Sequence, residues 1–417
     1  MKMNILFLST EIPFPLDHGH HLRTGNVLKC LAKDHVIHFV GFYKDDTELT
    51  YLSELRKYCD SVNVFPLREG AFRLRYFWGL LTNLFSAQPF PAQRYDLPAA
   101  QKRVRELIRT KNIDVVHFDA PWLAAYRAAV APCPKILTTH NVEAERLRTW
   151  MRVEKNPLAK AYLYLQYRKL YRFEKNLYRQ FEQNIVVSEL DRGELAKFAP
   201  DTPFAVVPNG VDAAFFSPNY ARMSPNRIVW AGPMNDPYNK DAVDYFLHDV
   251  YPLLNEKFPT VVATFLGSSP TPYLQDLAKN DPRIIAAGYV DDIRPYVDEA
   301  TVFIAPLRAG GGTKLKVLNA MAQGKAVVTT SIGAEGISGV SPENIRIADS
   351  PQAYASAICH LLAFPDEARS VGQKARELVL KYYDWQVIRR QMSGLYSNFA
   401  PQFRQHEFHS AKNTLQD

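Results

Sequence analysis

The chain alternates short apolar runs rich in β-branched residues with longer helical patterns, and it does so in two successive series. In the first series residues 3–8, 36–42, 62–66, 113–118, 135–139 and 183–187 read as strands, with helical patterns at 21–33, 47–58, 98–111, 121–130 and 157–182. Compact apolar runs without polar alternation belong in strands buried on both faces, which means parallel sheets covered by helices. A second series follows Pro208-Asn209-Gly210-Val211-Asp212, with strands at 227–231, 261–266, 283–286, 301–304, 326–329 and 345–347. Its helices are expected at 239–255, 271–279, 314–323, 351–363 and 366–382. A chain of 417 residues also exceeds the roughly 250–300 at which single cores stop growing. The predicted fold class is therefore α/β: two Rossmann-like doubly wound domains, over 1–206 and 223–382, joined by a hinge at 207–222. A C-terminal helix at 383–405 is expected to cross back to the first domain, ahead of a frayed tail at 406–417. Ligands of such sheets bind beyond the carboxyl ends of the strands, so the interdomain cleft is the expected active site.

Charge divides unevenly between these halves. Residues 1–200 hold 30 Lys and Arg against 21 Asp and Glu, whereas the rest hold 20 against 22. The basic surplus points to an anionic partner: nucleic acid, an acidic lipid surface or a phosphorylated substrate. Two basic-aromatic stretches account for much of it, Arg73-Leu74-Arg75-Tyr76-Phe77-Trp78 and the 158–181 helix with Lys160, Arg168, Lys169, Arg172, Lys175 and Arg179. Both suit an anionic membrane face, and the helix also reads as an ordinary amphipathic one with a solvated basic side. Cys30, Cys59, Cys133 and Cys359 form no CxxC pair, which fits a reducing compartment. The apolar run at 4–9 is short for a signal peptide, and no stretch reaches the ~18 apolar residues of a membrane span. The expected location is cytoplasmic, peripheral to the inner face of the plasma membrane.

The most informative stretch is Ala309-Gly310-Gly311-Gly312-Thr313-Lys314-Leu315-Lys316, which follows the strand ending Ile304-Ala305-Pro306 and opens a helix near Lys314. Glycines let a turn aim its amides at a ligand without Cβ obstruction; a helix N-terminus adds partial positive charge, and Lys314 and Lys316 add full charges. The run reads as a phosphate cradle, distinct from a P-loop because the GK[ST] ending is missing. The alternative is a plain glycine-rich connection with solvated lysines. Smaller pieces stand at neighbouring strand ends. Gly232 leads to a helix for which Asn239 is the expected cap, Gly267 makes a strand-to-turn junction, and Gly288-Tyr289-Val290 can lay backbone and a ring beside a base. Asp291 and Asp292 are expected to cap a helix rather than bind a metal.

In the first half the initial strand leads to Pro13-Phe14-Pro15-Leu16-Asp17-His18-Gly19-His20-His21-Leu22-Arg23 without the GxGxxG fingerprint, which argues against a nicotinamide or flavin enzyme. His18, His20 and His21 have no converging Cys or carboxylate in sequence, so a metal site is not expected. The fifth strand ends in Thr138-Thr139-His140-Asn141, aiming an imidazole at the cleft, where it can hydrogen-bond a substrate hydroxyl or serve a purely structural bond. Glu143 and Glu145 read as first-turn acids of the next helix.

Taken in order, Ile228 to Gly232, Asn239 to Phe246, Gly288 to Tyr296, Ala305-Pro306-Leu307 with Gly310 to Val317, and Gly333-Ala334-Glu335-Gly336-Ile337 resemble the C-terminal domain of GT-B fold glycosyltransferases of family 4. Val207 to Asp212 resembles that family's hinge, and Thr138 to Asn141 its strand-five motif. The resemblance implies a retaining transfer from a nucleotide-diphosphate sugar, with no cofactor and no metal held by an Asp-x-Asp motif. It implies that the C-terminal domain holds the nucleotide and the N-terminal domain the acceptor, a cell-surface glycan or a lipid-linked oligosaccharide. Gly311, Gly312 and Thr313, with Lys314 and Lys316, would meet the diphosphate, Lys316 stabilising the charge that develops on it. His140 would hydrogen-bond the donor sugar. Gly232, Asn239, Gly267, Tyr289, Val290 and Asn319 would line the nucleotide, while Gly19 would lie on the diphosphate and His20, His21, Arg23 and Glu143 on the acceptor side.

In one respect the chain departs from that family. The Glu-x7-Glu pair falls at Gly311 and Asn319; the first loss accompanies the glycine-rich loop, but a Glu is expected where Asn319 stands. A carboxylate accepts from both ribose hydroxyls, whereas an amide offers one acceptor. Competing readings are a GT-B fold binding protein without turnover, favoured by the two missing acids, and a nucleic-acid binder, disfavoured because no reading module is present.

Overall fold

The computed structural model describes residues 2–16, 19–67, 79–154, 156–197 and 199–399. These form two compact units, one holding the chain up to Val207 and again from Arg389, the other Pro208–Ile388. The expected tail at 406–417, the Arg73-to-Trp78 stretch and His18 lie outside the described residues.

The first unit is built on seven parallel strands, β1 (Asn4–Leu8), β2 (Val36–Tyr43), β3 (Ser61–Pro66), β4 (Val115–Phe118), β5 (Lys135–Thr139), β6 (Gln183–Val186) and β7 (Phe204–Val206), in the order β3-β2-β1-β4-β5-β6-β7. Ile5, Leu6 and Phe7 are all fully buried, as strands covered on both faces require. The second unit repeats the plan with β8 (Arg227–Ala231), β9 (Val262–Leu266), β10 (Ile284–Gly288), β11 (Val302–Ala305), β12 (Ala326–Thr329) and β13 (Arg346–Ile347), ordered β10-β9-β8-β11-β12-β13. In each sheet the strand order reverses direction once, between β1 and β4 and between β8 and β11. Leu8 pairs with Val40 on one side and Phe118 on the other, so the carboxyl ends of β1 and β4 lie side by side. Such switch points leave a crevice beyond the strand ends, which fixes where each unit can take a ligand.

Six helices matter below: α1 (Gly19–Ala32), α2 (Glu143–Val153), α3 (Pro157–Leu177), α4 (Pro237–Tyr245), α5 (Leu315–Ala322) and α6 (Trp385–Ser397). α6 starts in the second unit, and from Arg389 its residues belong to the first, where Arg389 pairs with Asp34 at 2.5 Å and the Tyr396 hydroxyl meets His117 Nδ1 at 2.5 Å.

Several elements differ from the sequence expectation. The pattern at 47–58 is a 3-10 turn over Asp46–Tyr51, started by an Asp45/Glu48 capping box, and then a single α turn. The 121–130 pattern is also 3-10. The expected helix at 239–255 is interrupted by a π turn at Phe246–Val250; Pro252 has no amide to return to the His248 carbonyl, so the ladder widens there. The short strand β7 carried no separate signal.

Candidate functional site

Both switch points hold a polar cluster. In the second unit the loop after β11 turns through Gly310 (φ +111°) and Gly312 (φ +69°), backbone states that glycine adopts without strain. A Cβ placed on Gly311 would meet no atom within 4 Å. The amides of Gly310 through Lys316 find no acceptor among the described residues. The loop therefore presents a run of open N–H groups leading into the first turn of α5. Lys314 turns back on its own loop, its ammonium donating to the carbonyls of Gly310 (3.1 Å) and Gly312 (2.7 Å) and lying 3.8 Å from Glu335. Thr313 Oγ1 donates to the Gly336 carbonyl at 3.3 Å.

Lys316 reaches from α5 to the end of β8. Its Nζ donates to Asn239 Oδ1 at 2.5 Å and sits 4.0 Å from the centre of the buried Trp230 ring. A Cβ on Gly232 would come within 2.5 Å of that ammonium, so the strand end must be glycine for Lys316 to occupy the place. Gly267 is equally confined, since its Cβ would overlap the Gly232 carbonyl. Burial drives the Lys316 pKa down from 10.5 to about 7; Asp236 opposes the shift and Lys314 adds to it. Burial therefore disfavours the ammonium form there, and a neighbouring anion would favour it.

Asn239 is not the cap of α4. Asp236 is, its Oδ1 accepting from the amides of Tyr238 and Asn239 at 3.0 Å each, with Pro237 at the first helical position. This frees the Asn239 side chain to bond the Pro233 carbonyl at 2.8 Å and to orient Lys316. Asp292 serves the start of the next helix from one position outside the cap. Ile293 occupies the formal cap position, yet the Asp292 carboxylate still accepts from the first helical amide, that of Arg294, at 2.9 Å and pairs with the Arg294 guanidinium at 2.8 Å. Tyr289 follows β10 with 76% of its surface exposed, while Val290 packs against the core. Asn319 stands half-buried on α5, with a side chain that makes no hydrogen bond among the described residues.

The first unit's cluster centres on Asp119, the residue after β4. Its carboxylate is 1% exposed and accepts from Thr24 Oγ1 at 2.5 Å. His140 Nε2 lies 3.3 Å from Asp119 Oδ1 and 2.7 Å from the Asp119 carbonyl. A carbonyl only accepts, so this Nε2 carries a proton. His20 meets His140 edge to face at 4.6 Å, and its Nε2 is 3.8 Å from Asp119 and 3.4 Å from Thr10 Oγ1. Burial would raise the Asp119 pKa, but His140, His117 and His20 outweigh it and hold the carboxyl well below the usual range. Arg23, 2% exposed on α1, faces the same carboxylate; burial brings its pKa down to about 10.

His20, Asp119 and His140 each bring one ligand atom within 4.8 Å of the others, close enough to hold a single ion. An ion on His140 Nε2 would have to displace its bond to the Asp119 carbonyl, whereas the present arrangement already satisfies that nitrogen.

His20, Arg23 and His140 are thus brought together around Asp119. His21 turns away, Nδ1 on the Pro15 carbonyl at 2.7 Å and Nε2 3.4 Å from Glu11. Gly19 opens α1, and a Cβ placed on it would meet no atom within 4 Å. Glu143 is buried in the first turn of α2 beside Arg146 at 3.1 Å, and burial pushes its carboxyl up. Beneath it Glu174 of α3 accepts from the amides of Glu143 and Ala144 and from Tyr178, its pKa raised by burial to about 7. Sequence reasoning missed Asp119, Thr24, Trp230, Asp236 and Glu174. For Asp119 a signal existed: an acid directly after the short strand run Val115-Val116-His117-Phe118 marks a strand end as plainly as His140 does.

Residues 225–363 match the family model for glycosyl transferases group 1, and residues 52–215 that for Glycosyltransferase Family 4. Among curated proteins, the uncharacterised 44.6 kDa protein in the cps region of Klebsiella pneumoniae is 21% identical over 91% of this chain and 96% of its own length. The phosphatidyl-myo-inositol mannosyltransferase of Mycobacterium tuberculosis is 24% identical over 73% of this chain and 78% of its own. Among solved structures, sucrose-phosphate synthase of Thermosynechococcus elongatus superposes with a TM-score of 0.66 at 15% identity, covering 95% of this chain and 99% of that one. Anabaena HepE in complex with UDP gives 0.65 at 15% identity, covering 95% and 100%. The chain is a glycosyltransferase, a family 4 domain followed by a group 1 domain on the GT-B fold.

Proposed function

We propose that this glycosyltransferase takes a sugar from a nucleotide-diphosphate donor and passes it, with retention of configuration, to a cell-surface glycan or lipid-linked acceptor. The observation that carries the reading is the run of open amides from Gly310 to Lys316 at the switch point of the second unit, completed by the part-charged Lys316. Amides aimed where charge develops stabilise a departing diphosphate without reorganising. Gly311, Gly312 and Thr313 would hold its oxygens, Lys316 would take up a proton as the anion grows, and Asn319 would meet the ribose. Gly232, Asn239, Gly267, Tyr289 and Val290 would border the nucleotide, with Lys314 keeping the loop in shape.

In the first unit His140, His20 and Arg23 around Asp119 would recognise hydroxyl and anionic groups of sugar and acceptor, with Gly19, His21 and Glu143 at their margin. The carboxylates nearest the cradle are engaged, Asp236 as the cap of α4 and Glu335 beside Lys314, which supports attack by the acceptor hydroxyl on the face the diphosphate leaves, a phosphate oxygen taking the proton. The reaction is read as metal-independent because the histidine nitrogen nearest Asp119 is already a hydrogen-bond donor. The cps-region and mannosyltransferase relatives support an envelope glycan or lipid-linked acceptor. No helix among the described residues is long and apolar enough to cross a membrane. The basic face of α3 supports peripheral contact with the inner face of an anionic plasma membrane, in the cytoplasm, without binding nucleic acid.

A thermal-shift panel of UDP-, GDP-, ADP- and dTDP-sugars tests the donor reading, since a ligand of the native state stabilises it by mass action. At least one should raise the melting temperature; none doing so at millimolar ligand would overturn the assignment. A second reading, a sugar-nucleotide binding protein without turnover, is favoured by Gly311 and Asn319 standing where the family's acids are expected. Release of nucleoside diphosphate from a donor in the presence of an acceptor decides between the two.

A further inference from the structure

One cluster lies outside both switch points. A groove of about 670 Å³ runs along α3, bordered by residues 86–88 and by Arg127, Tyr164, Arg168, Lys169, Arg172 and Phe173. Four cations line it and no carboxylate does. Arg127 is half-buried, and burial lowers its pKa with no charged neighbour contributing; it has no hydrogen-bond or ion-pair partner among the described residues. Uncompensated guanidinium at that depth costs stability unless an anion joins it. The only acid of α3, Glu174, points into the core, so Lys160, Arg168, Arg172 and Lys175 form an exposed face of one sign.

Beside the groove stands an apolar ridge. Lys169 donates to the carbonyls of Asn83 (2.5 Å) and Leu84 (3.4 Å), and Gln166 bonds Asn83 Oδ1 at 2.8 Å and the Phe90 amide at 3.2 Å, which ties the 79–90 segment rigidly to α3. The segment's tip shows Leu84 at 38% and Phe85 at 94% exposure, and Leu158 at the start of α3 is 82% exposed. Soluble anions give such side chains nothing to bury against. A bilayer surface offers both an apolar boundary and phosphates at one depth.

We propose that this groove seats the phosphate of an anionic lipid headgroup, with Arg127, Arg168 and Arg172 around it, while Phe85, Leu84 and Leu158 enter the boundary of the acyl layer. The inference rests on the peripheral-membrane part of the function proposed above and gives it a specific seat.

Co-sedimentation of the full chain with vesicles of phosphatidylcholine, with and without phosphatidylglycerol, tests it. Each basic side chain at an anionic surface strengthens binding roughly five-fold, so Lys160→Gln/Lys175→Gln, which removes two charges outside the groove, should weaken binding about 30-fold at most. Arg127→Met/Arg172→Gln should weaken it at least ten-fold more than that control. Arg127→Met removes an uncompensated charge, so its melting temperature should equal or exceed wild type, and its thermal shift with a donor sugar should be unchanged. Phe85→Ser should also reduce vesicle binding, about ten-fold. Failure of wild type to bind phosphatidylglycerol vesicles overturns the membrane reading and this seat together. Equal losses in the two charge pairs overturn the seat alone, leaving diffuse attraction. Loss in the arginine pair that inorganic phosphate at equal concentration reproduces in wild type, with none in Phe85→Ser, assigns the groove to a soluble phosphate and overturns the lipid. Displacement of vesicles by a random oligonucleotide at equal phosphate overturns it in favour of nucleic acid.

Discussion

Replacing Lys316 by Met separates a binding group from a structural one, because the two roles predict opposite signs. A pKa brought from 10.5 to about 7 corresponds to ~5 kcal/mol at 1.36 kcal/mol per unit, and to roughly 2–3 kcal/mol once solvent reaching the half-buried tip is allowed for. Methionine removes that cost and fills similar space. It forfeits the bond to Asn239 and the contact over Trp230, together about 1–2 kcal/mol. The variant should therefore melt at or up to ~8 °C above wild type, given about 2–4 °C per kcal/mol in a unit of this size. Nucleotide binding should move the other way. A charge-assisted bond to phosphate is worth about 1.5–3 kcal/mol, a 10- to 100-fold loss of affinity. Calorimetric titration with UDP, GDP, ADP and dTDP, alongside a thermal melt, reads both without knowledge of the acceptor. A variant that melts several degrees lower and binds the nucleotide as wild type does would show Lys316 to be a packing residue and refute the cradle argument.

Other consequences follow from the same geometry. Binding at pH 8.5 should take up close to one proton, measured by calorimetry in buffers of different ionisation enthalpy, because a bound diphosphate restores the Lys316 ammonium. Affinity should fall toward ~10-fold per pH unit above 7, and a flat profile would contradict this. Asn319→Glu should tighten the nucleotide about 5- to 30-fold if it meets the ribose, through charge-assisted bonds; unchanged or weaker binding in calorimetry counts against that role. Asp119→Asn should cost the first unit about 3–5 kcal/mol in urea unfolding at pH 7, since it strips the carboxylate from buried Arg23. The folded pKa of Asp119 lies below its unfolded value of 3.8, so its contribution is present above that pH and lost as pH falls, and the gap between variant and wild type should close in acid. A chelator should leave nucleoside diphosphate release unchanged; loss restored by one divalent ion would assign the His20–Asp119–His140 group to a metal.

The fold was legible because doubly wound sheets leave a local record. Fully buried strands such as Ile5-Leu6-Phe7 and Val302-Phe303-Ile304 have no polar alternation, and that period separates them from the amphipathic helices between. What escaped was decided by single groups acting at a distance. Pro252 widens a helix one turn upstream of itself, and Asp236 takes the capping role three residues before Asn239. The exposed ridge at Phe85 depends on Lys169 and Gln166, some 80 positions away in sequence, to hold it in place.

The two switch points differ in how their chemistry is encoded. In the proposed donor site the second unit would bind with backbone, and a backbone cradle needs consecutive residues without side chains, so Gly310-Gly311-Gly312 announces it in one window. The first unit's cluster is made of side chains carried by α1 and by the ends of β4 and β5; residues 20, 119 and 140 share no window, and it takes the adjacency of β1 to β4 and of β4 to β5 to bring them together. The same difference explains the placement of charge. Open amides attract phosphate while carrying no net charge, and on the proposed reading a bound anion would restore the Lys316 ammonium, so the second unit would need no basic surplus. The surplus of the first half is spent instead on α3, where four cations stand around a groove that contains no counter-charge of its own.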